Sequence, residues 1–222
     1  MSATGGNEVN TYKENGRTYK SHVFLTDGTF TIDADATFDI LIVGGGGGGG
    51  HDTAGGGGAG GFYTATGVKM TPGAKKITVG AGGAEHHNGG FSMIEGITLP
   101  VGANVPGGGY GGSGGGNNVA PAVGGSGGGA AGYASNQNHG AAGVSPYGHA
   151  GGSAPYGASR VMGGGGGGAG GPGQNQGVNF FDGGAGGPGL ASTYRDGTSV
   201  VYAKGGHGGA RDYGAGASGA AN

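Results

Sequence analysis

The sequence has no cysteine and no tryptophan, and only 10% of its residues are charged. Without cysteine, neither disulfides nor thiolate metal sites can staple a small core. Ten lysines and arginines are outnumbered by twelve acids, for a formal charge of −2. That balance removes the electrostatic attraction on which general nucleic-acid binding rests. No apolar run approaches the ~20 residues that a membrane-spanning helix needs, so no membrane insertion is expected. Residues 1–20 lack a basic start followed by an apolar stretch. No secretory signal is therefore expected: the chain should be made in a cytoplasm and reach the outside only by lysis or on a particle. Helical patterning is missing too, since nowhere do ten residues keep a 3.6-residue apolar period without glycine or proline breaking it.

What is present in excess is glycine, 69 of 222 residues, against a usual share of about 7%. It runs uninterrupted through residues 44–50, 55–58 and 163–168. Each ordered glycine loses more backbone entropy than any other residue, so these tracts are either unfolded or held by something outside their side chains.

Non-glycine apolar residues cluster in strand-like runs. Residues 22–25 and 29–32 flank Thr26-Asp27-Gly28, a turn signal. Phe38-Asp39-Ile40-Leu41-Ile42-Val43 is the most apolar run, with Phe38, Ile40 and Ile42 on one face and Leu41 and Val43 on the other, as in a strand covered on both sides. Residues 62–70 alternate, Pro72-Gly73 turns the chain, and residues 75–79 are expected to return as the hairpin partner. Residues 91–99 and 198–204 complete the set. The expected fold is all-β, an antiparallel jelly-roll-like sandwich with almost no α-helix. Its expected organisation is a polar docking segment (1–20), the first part of the sandwich with the first glycine tracts (21–105), a glycine-rich bundle with exposed loops (106–190), and a returning strand with a glycine-rich end (191–222).

Within 106–190, glycine tracts alternate with short polar or aromatic insertions. Collagen is excluded, because glycine is not at every third position and only eight prolines are present. An extended helix with three residues per turn makes no internal hydrogen bonds, so its amides and carbonyls point outward. Without Cβ atoms such polyglycine II helices can approach closely and bond sideways, which would let the tracts fold as a bundle inserted in the sandwich. Loose spacers are the competing expectation. Spacers, however, gain nothing from being many, short and punctuated by aromatics.

Several motifs carry little information. Residues 39–50 mimic a dinucleotide-binding strand and its glycine turn, but His51-Asp52-Thr53-Ala54 and more glycine follow where a helix is required. No glycine run ends in Gly-Lys followed by Ser or Thr, so there is no phosphate loop. Arg17, Arg160, Arg195 and Arg211 are not followed by paired glycines. Neither the adjacent His86-His87 nor His51-Asp52 has the two-residue spacing of ligands on one strand face, and no nucleophile sits in a recognisable elbow. No catalytic residue, metal site or cofactor is expected, and the chain is not expected to be an enzyme.

The insertions hold the aromatics. Packing onto glycine surfaces is one role for them; a contact surface is the other, since tyrosine gives rigid contact area at low entropy. The candidate contact residues are Tyr133, Asn136, Gln137, His139, Tyr147, His149, Tyr156, Arg160, Gln174, Asn175, Phe180 and Phe181.

Thr29-Phe30-Thr31-Ile32, then residues 38–43 running straight into polyglycine, then Gly60-Gly61-Phe62-Tyr63, Thr71-Pro72-Gly73 and Ile77-Thr78-Val79-Gly80-Ala81-Gly82-Gly83, together resemble the glycine-rich domain of bacteriophage tail-fibre and related virion proteins. The resemblance covers residues 20–85 by motif and the rest by composition. It implies a non-enzymatic virion protein, with a fibre-tip adhesin that binds a host surface protein or glycan through loops between glycine helices as its leading form. Its other partners would be further virion proteins or copies of itself, a trimer among them. A self-assembling capsid-decoration or filament subunit is the alternative.

Overall fold

The computed structural model describes residues 2–99, 102, 104–115, 118–132, 139–154, 162–177, 183–209 and 219. Among them there is no helix, and the strands are antiparallel: β1 (Ala3–Thr4), β2 (Glu8–Glu14), β3 (Arg17–Val23), β4 (Gly28–Ile32), β5 (Ala36–Val43), β6 (Phe62–Met70), β7 (Gly73–Thr78), β8 (Met93–Ile94), β9 (Leu190–Ser192) and β10 (Val200–Tyr202). They form one four-stranded sheet in the order β1-β4-β7-β8 and three two-stranded ribbons, β2-β3, β5-β6 and β9-β10.

β5 has both faces covered, as its sequence requires. Ile40 and Ile42 are buried with Phe30, Ile32, Ile77, Met70 and Tyr147, while Leu41 and Val43 pack on a second cluster that contains Phe62 and Tyr202. The β5-β6 ribbon is thus the middle layer of the strand frame.

The expected hairpin pairing is different in the structure. β6 does not pair with β7 across Pro72-Gly73. It pairs with β5 from Val43↔Phe62 to Ala36↔Met70, and β7 pairs with β4 and β8. The reason lies in the inserted glycines, which continue the β5-β6 ladder: Gly44 N donates to Gly61 O at 2.9 Å, in line with the strand register. Nor does β3 pair with β4 across the turn at 26–28. It pairs with β2, because Asn15-Gly16, with φ of 49° and 77°, makes a two-residue hairpin turn that needs positive φ at both positions.

That hairpin occupies most of the segment expected to be free for docking, and it is docked on its own chain. Arg195 Nη2 and Nε donate to the Glu8 carboxylate at 2.8 and 3.1 Å, Asn10 Nδ2 donates to Arg195 O at 3.1 Å, and Thr193 Oγ1 donates to Glu14 Oε1 at 2.9 Å. Tyr12 and Tyr19 stack across the ribbon with ring centres 5.5 Å apart. Burial raises the Tyr12, Tyr194 and Tyr202 phenols above their ordinary range. A raised phenol favours the folded state at neutral pH, and that contribution is lost as pH climbs from the unfolded value, about 10, through the folded one. Phenolate absorbance should therefore lag in the folded protein relative to the denatured one. Changing all three residues to Phe should reduce the lag; an unchanged lag would contradict this docking.

The glycine tracts bond to one another, with a partner that changes on a three-residue period. Gly44, Gly47 and Gly50 donate to Gly61, Gly58 and Gly55 at 2.9, 2.9 and 3.1 Å, whereas Gly45 and Gly48 donate to Gly90 and His87 at 2.9 and 3.1 Å. The tract at 163–169 has six neighbours. Gly163, Gly166 and Ala169 donate to 203–209, Gly164 and Gly167 to 127–130, and Gly165 and Gly168 to 171–174. Its carbonyls accept from Gly56 and Ala59, from Gly152 and His149, and from Gly184 and Gly187. Three neighbours are reached by donors and three by acceptors, so each internal peptide bonds in both directions without a side chain, answering the burial requirement for backbone polar groups.

This close approach explains the composition. An ideal Cβ on Gly55, Gly163 or Gly166 would lie closer than 3.0 Å to the carbonyl oxygen of Gly129, Ala54 or Gly57. At the rim, one of the three rows faces outward and side chains return every third residue: Ala81 and Ala84, Pro172 and Asn175, Lys204 and His207 are all exposed.

Candidate functional site

Tracts 44–50 and 54–61 leave β5 and re-enter β6, so the turn His51-Asp52-Thr53 marks the end of the bundle remote from the strands. Several other tracts begin or end here. Gly112 O accepts from Gly55 N at 2.8 Å, Gly132 N donates to Thr53 O at 2.9 Å, Gly163 N donates to Gly209 O at 3.1 Å, and Gly184 N donates to Gly163 O at 2.8 Å. These residues precede or follow the connections at 113–119, 133–138, 155–161, 178–182 and 210–218.

Four segments interlock here. His51 N donates to Ser113 Oγ at 2.7 Å, and His86 Nε2 lies at hydrogen-bonding distance from the same oxygen. Gly114 N donates to Asp52 O at 3.0 Å, and Thr53 Oγ1 donates to Gly132 O at 2.8 Å. Four of the described non-glycine residues with positive φ lie here, Asp52 at 47°, Thr53 at 50°, His86 at 58° and Asn118 at 36°. For the β-branched Thr53 this is an unfavourable backbone state. Its hydroxyl and carbonyl bonds to Gly132 hold it.

The Ser113–His86–Glu85 arrangement is not a catalytic triad. Glu85 Oε1 lies 3.7 Å from His86 Nε2, the nitrogen that already faces Ser113, so the carboxylate does not orient the ring through Nδ1. Ser113 is also buried, at 1% exposure. Among the described residues no group of three or more His, Asp, Glu or Cys could hold a metal ion.

The candidate contact residues are distributed unevenly. Tyr133, Asn136, Gln137, Tyr156, Arg160, Phe180 and Phe181 lie outside the described residues. His139 is exposed, one residue before the tract that starts at Gly140, and Asn175 is exposed with its Oδ1 accepting from Ser153 N at 2.7 Å. Gln174 is exposed at mid-bundle, where its carbonyl accepts from Gly165 N at 2.9 Å. His149 is exposed near the opposite, strand-proximal end, where its amide donates to Gly168 O at 3.2 Å.

Tyr147 departs from expectation. It is 1% exposed within the frame core, edge-on to Tyr63 at 6.2 Å, and its carbonyl accepts from Phe62 N at 3.0 Å. Its ring therefore packs and offers no contact surface. Sequence reasoning also passed over Asp52, Thr53 and Asn118; a short polar turn between two glycine tracts was the available signal.

A family model described as a glycine-rich domain matches residues 25–222, and the chain belongs to that family. Searches of curated proteins and of solved structures find no match.

Proposed function

We propose that this chain is a structural protein of a bacteriophage particle, a fibre-tip adhesin in which polyglycine II helices hold receptor-contacting loops on a rigid stem. The observation that carries this reading is that the described tract ends Gly112, Gly132, Gly163, Gly184 and Gly209 meet residues 51–55 or one another at the end of the bundle opposite the strand frame. Loops fixed on a stiff scaffold are the usual place for binding residues. The three-residue period of the hydrogen bonds is that of an extended three-fold helix. No tract glycine from 44 to 50 or from 163 to 168 has a positive φ, as such a helix requires. The interlocked distal turns then reduce the entropy lost when a partner binds.

The test uses purified, fluorescently labelled protein on a panel of bacterial cells and isolated envelopes. Binding to some strains is expected, with at least a tenfold loss for the combined Tyr133→Ala, Tyr156→Ala and Phe180→Ala variant and little change in its melting. Absence of binding across the panel would sink the adhesin reading, as would full binding by the variant. Regular polymers of the pure protein in negative stain would favour a self-assembling subunit instead.

A further inference from the structure

The strand frame carries a cleft of its own, with a volume of about 450 Å³, toward the small end of ligand sites. β6 supplies Phe62 and Thr64, β9 and the loop after it supply Leu190, Ser192, Thr193 and Tyr194, and Ser199 stands just before β10. Phe62 is nearly buried, in one cluster with Tyr202, Leu41 and Val43, so its place is fixed. β6 is paired with β5 and β9 with β10. The loop at 193–199 is pinned as well. Thr193 and Arg195 bond to Glu14 and Glu8 of the N-terminal hairpin, and Thr198 N donates to Asp196 Oδ1 at 2.8 Å. Walls held in this way lose little freedom when a ligand enters.

The lining decides what fits. Thr64, Ser192, Thr193, Tyr194 and Ser199 each bring a hydroxyl, a group that both donates and accepts. Thr64 and Ser199 are exposed, so theirs are open to a ligand. Phe62, Tyr194 and Leu190, the last 41% exposed, bring apolar surface. No charged side chain is among the lining residues. Two carboxylates, Asp39 and Glu14, lie close enough to act on the Tyr194 phenol. The Arg195 guanidinium is taken up by both oxygens of Glu8, at 2.8 and 3.1 Å. An anion would therefore find no free cation in the lining. A metal ion would find no cluster of ligands among the described residues. A purely apolar ligand would strip water from the hydroxyls and give nothing back. What matches is a neutral molecule, polar at its edges and apolar on its faces.

We propose that this cleft binds a neutral saccharide, a mono- or disaccharide in size. The C–H face of a sugar ring is slightly positive and suits the negative face of an aromatic ring. The sugar's hydroxyls exchange hydrogen bonds with Thr64 and Ser199, and the neighbouring carboxylates act as acceptors only. The site lies on the strand frame, away from the turn at 51–53, and it stands whether or not the distal loops contact a receptor.

The test is an NMR titration of the ¹⁵N-labelled full-length protein with glucose, galactose, N-acetylglucosamine, lactose and maltose. At least one sugar should shift the amides of Thr64, Ser192, Tyr194 and Ser199 in a saturable way and leave Thr53 and Gly114 unmoved. Sodium sulfate, as a charged probe, should shift none of them. Thr64→Lys and Ser199→Lys each place a long charged chain at the cleft from an exposed position on a different element. Each should weaken the sugar's binding at least tenfold with melting unchanged, so the result does not hang on one variant folding. No shift with any of these sugars would overturn the proposal. So would shifts centred on the distal turns, a larger response to sulfate than to every sugar, or undiminished binding by both variants.

Discussion

Replacing Gly166 by alanine should destabilise the protein by about 3 kcal/mol or more, at or beyond the upper end of ordinary overpacking. The added methyl would meet the Gly57 carbonyl, a backbone group on a tract that is itself held on several sides. Nothing flexible is available to move. Gly166 N also donates to Gly206 O at 2.8 Å and its carbonyl accepts from Gly187 N at 2.8 Å, so a shift that relieves the contact breaks bonds elsewhere. The melting temperature should fall by roughly 6–12 °C on the usual scaling for a chain of this size. The control is the same substitution at Gly82. There a Cβ would find only Gly46 O, at 3.9 Å, and φ is outside the left-handed region. Gly82→Ala should therefore be neutral or stabilise by about 0.4–1 kcal/mol, by restricting the unfolded chain. Calorimetry of the two variants gives the comparison, and similar losses at both sites would contradict close packing of the tracts as the reason for glycine.

Tyr147→Ala should cost about 3–5 kcal/mol, the range for emptying a buried aromatic site. The ring fills the junction between β5-β6 and the start of the bundle: it lies against Tyr63, and its backbone amide donates to Val144 O at 2.8 Å. A Cβ on Gly61 would come within 3.0 Å of the Tyr147 Cβ, so the surroundings are too tightly packed to collapse smoothly into the vacated space. Urea unfolding followed by circular dichroism measures the effect. A loss under 1 kcal/mol, accompanied by loss of cell binding, would return Tyr147 to the role of a contact residue.

The strands were legible where apolar residues alternate. Phe62–Met70 was read with its observed limits, and the two-sided burial of β5 followed from Ile40 and Ile42 opposing Leu41 and Val43. Pairing was less legible, because proximity in sequence favours β6 with β7, whereas the glycine tracts carry the β5-β6 ladder out to His51 and back. The N-terminal hairpin was missed although Asn15-Gly16 announces it; its polar composition suggested a free segment, and only Arg195, 187 residues from Glu8, shows what it docks on.

Within the bundle the informative signal is local. Unbroken glycine marks the six-neighbour tract at 163–168, while Lys204-Gly-Gly-His207 and Ala81-Gly-Gly-Ala84 mark rims with one outward row. A search for a single period through the region conceals this, because the phase resets at every loop. Tyr147 was beyond reach of sequence reasoning, since a tyrosine beside glycine looks the same whether it lies over a loop or inside a core.

The central claim is that segments with almost no side chains form a rigid lattice held by sideways backbone bonds. Backbone ¹⁵N relaxation on the isolated protein tests it most directly. Order parameters near 0.85, the value for rigid backbone, are expected for Gly56, Gly58, Gly164 and Gly167, matching Ile40 and Ile42 in β5. Values below about 0.6 at those glycines, with β5 still rigid, would contradict it.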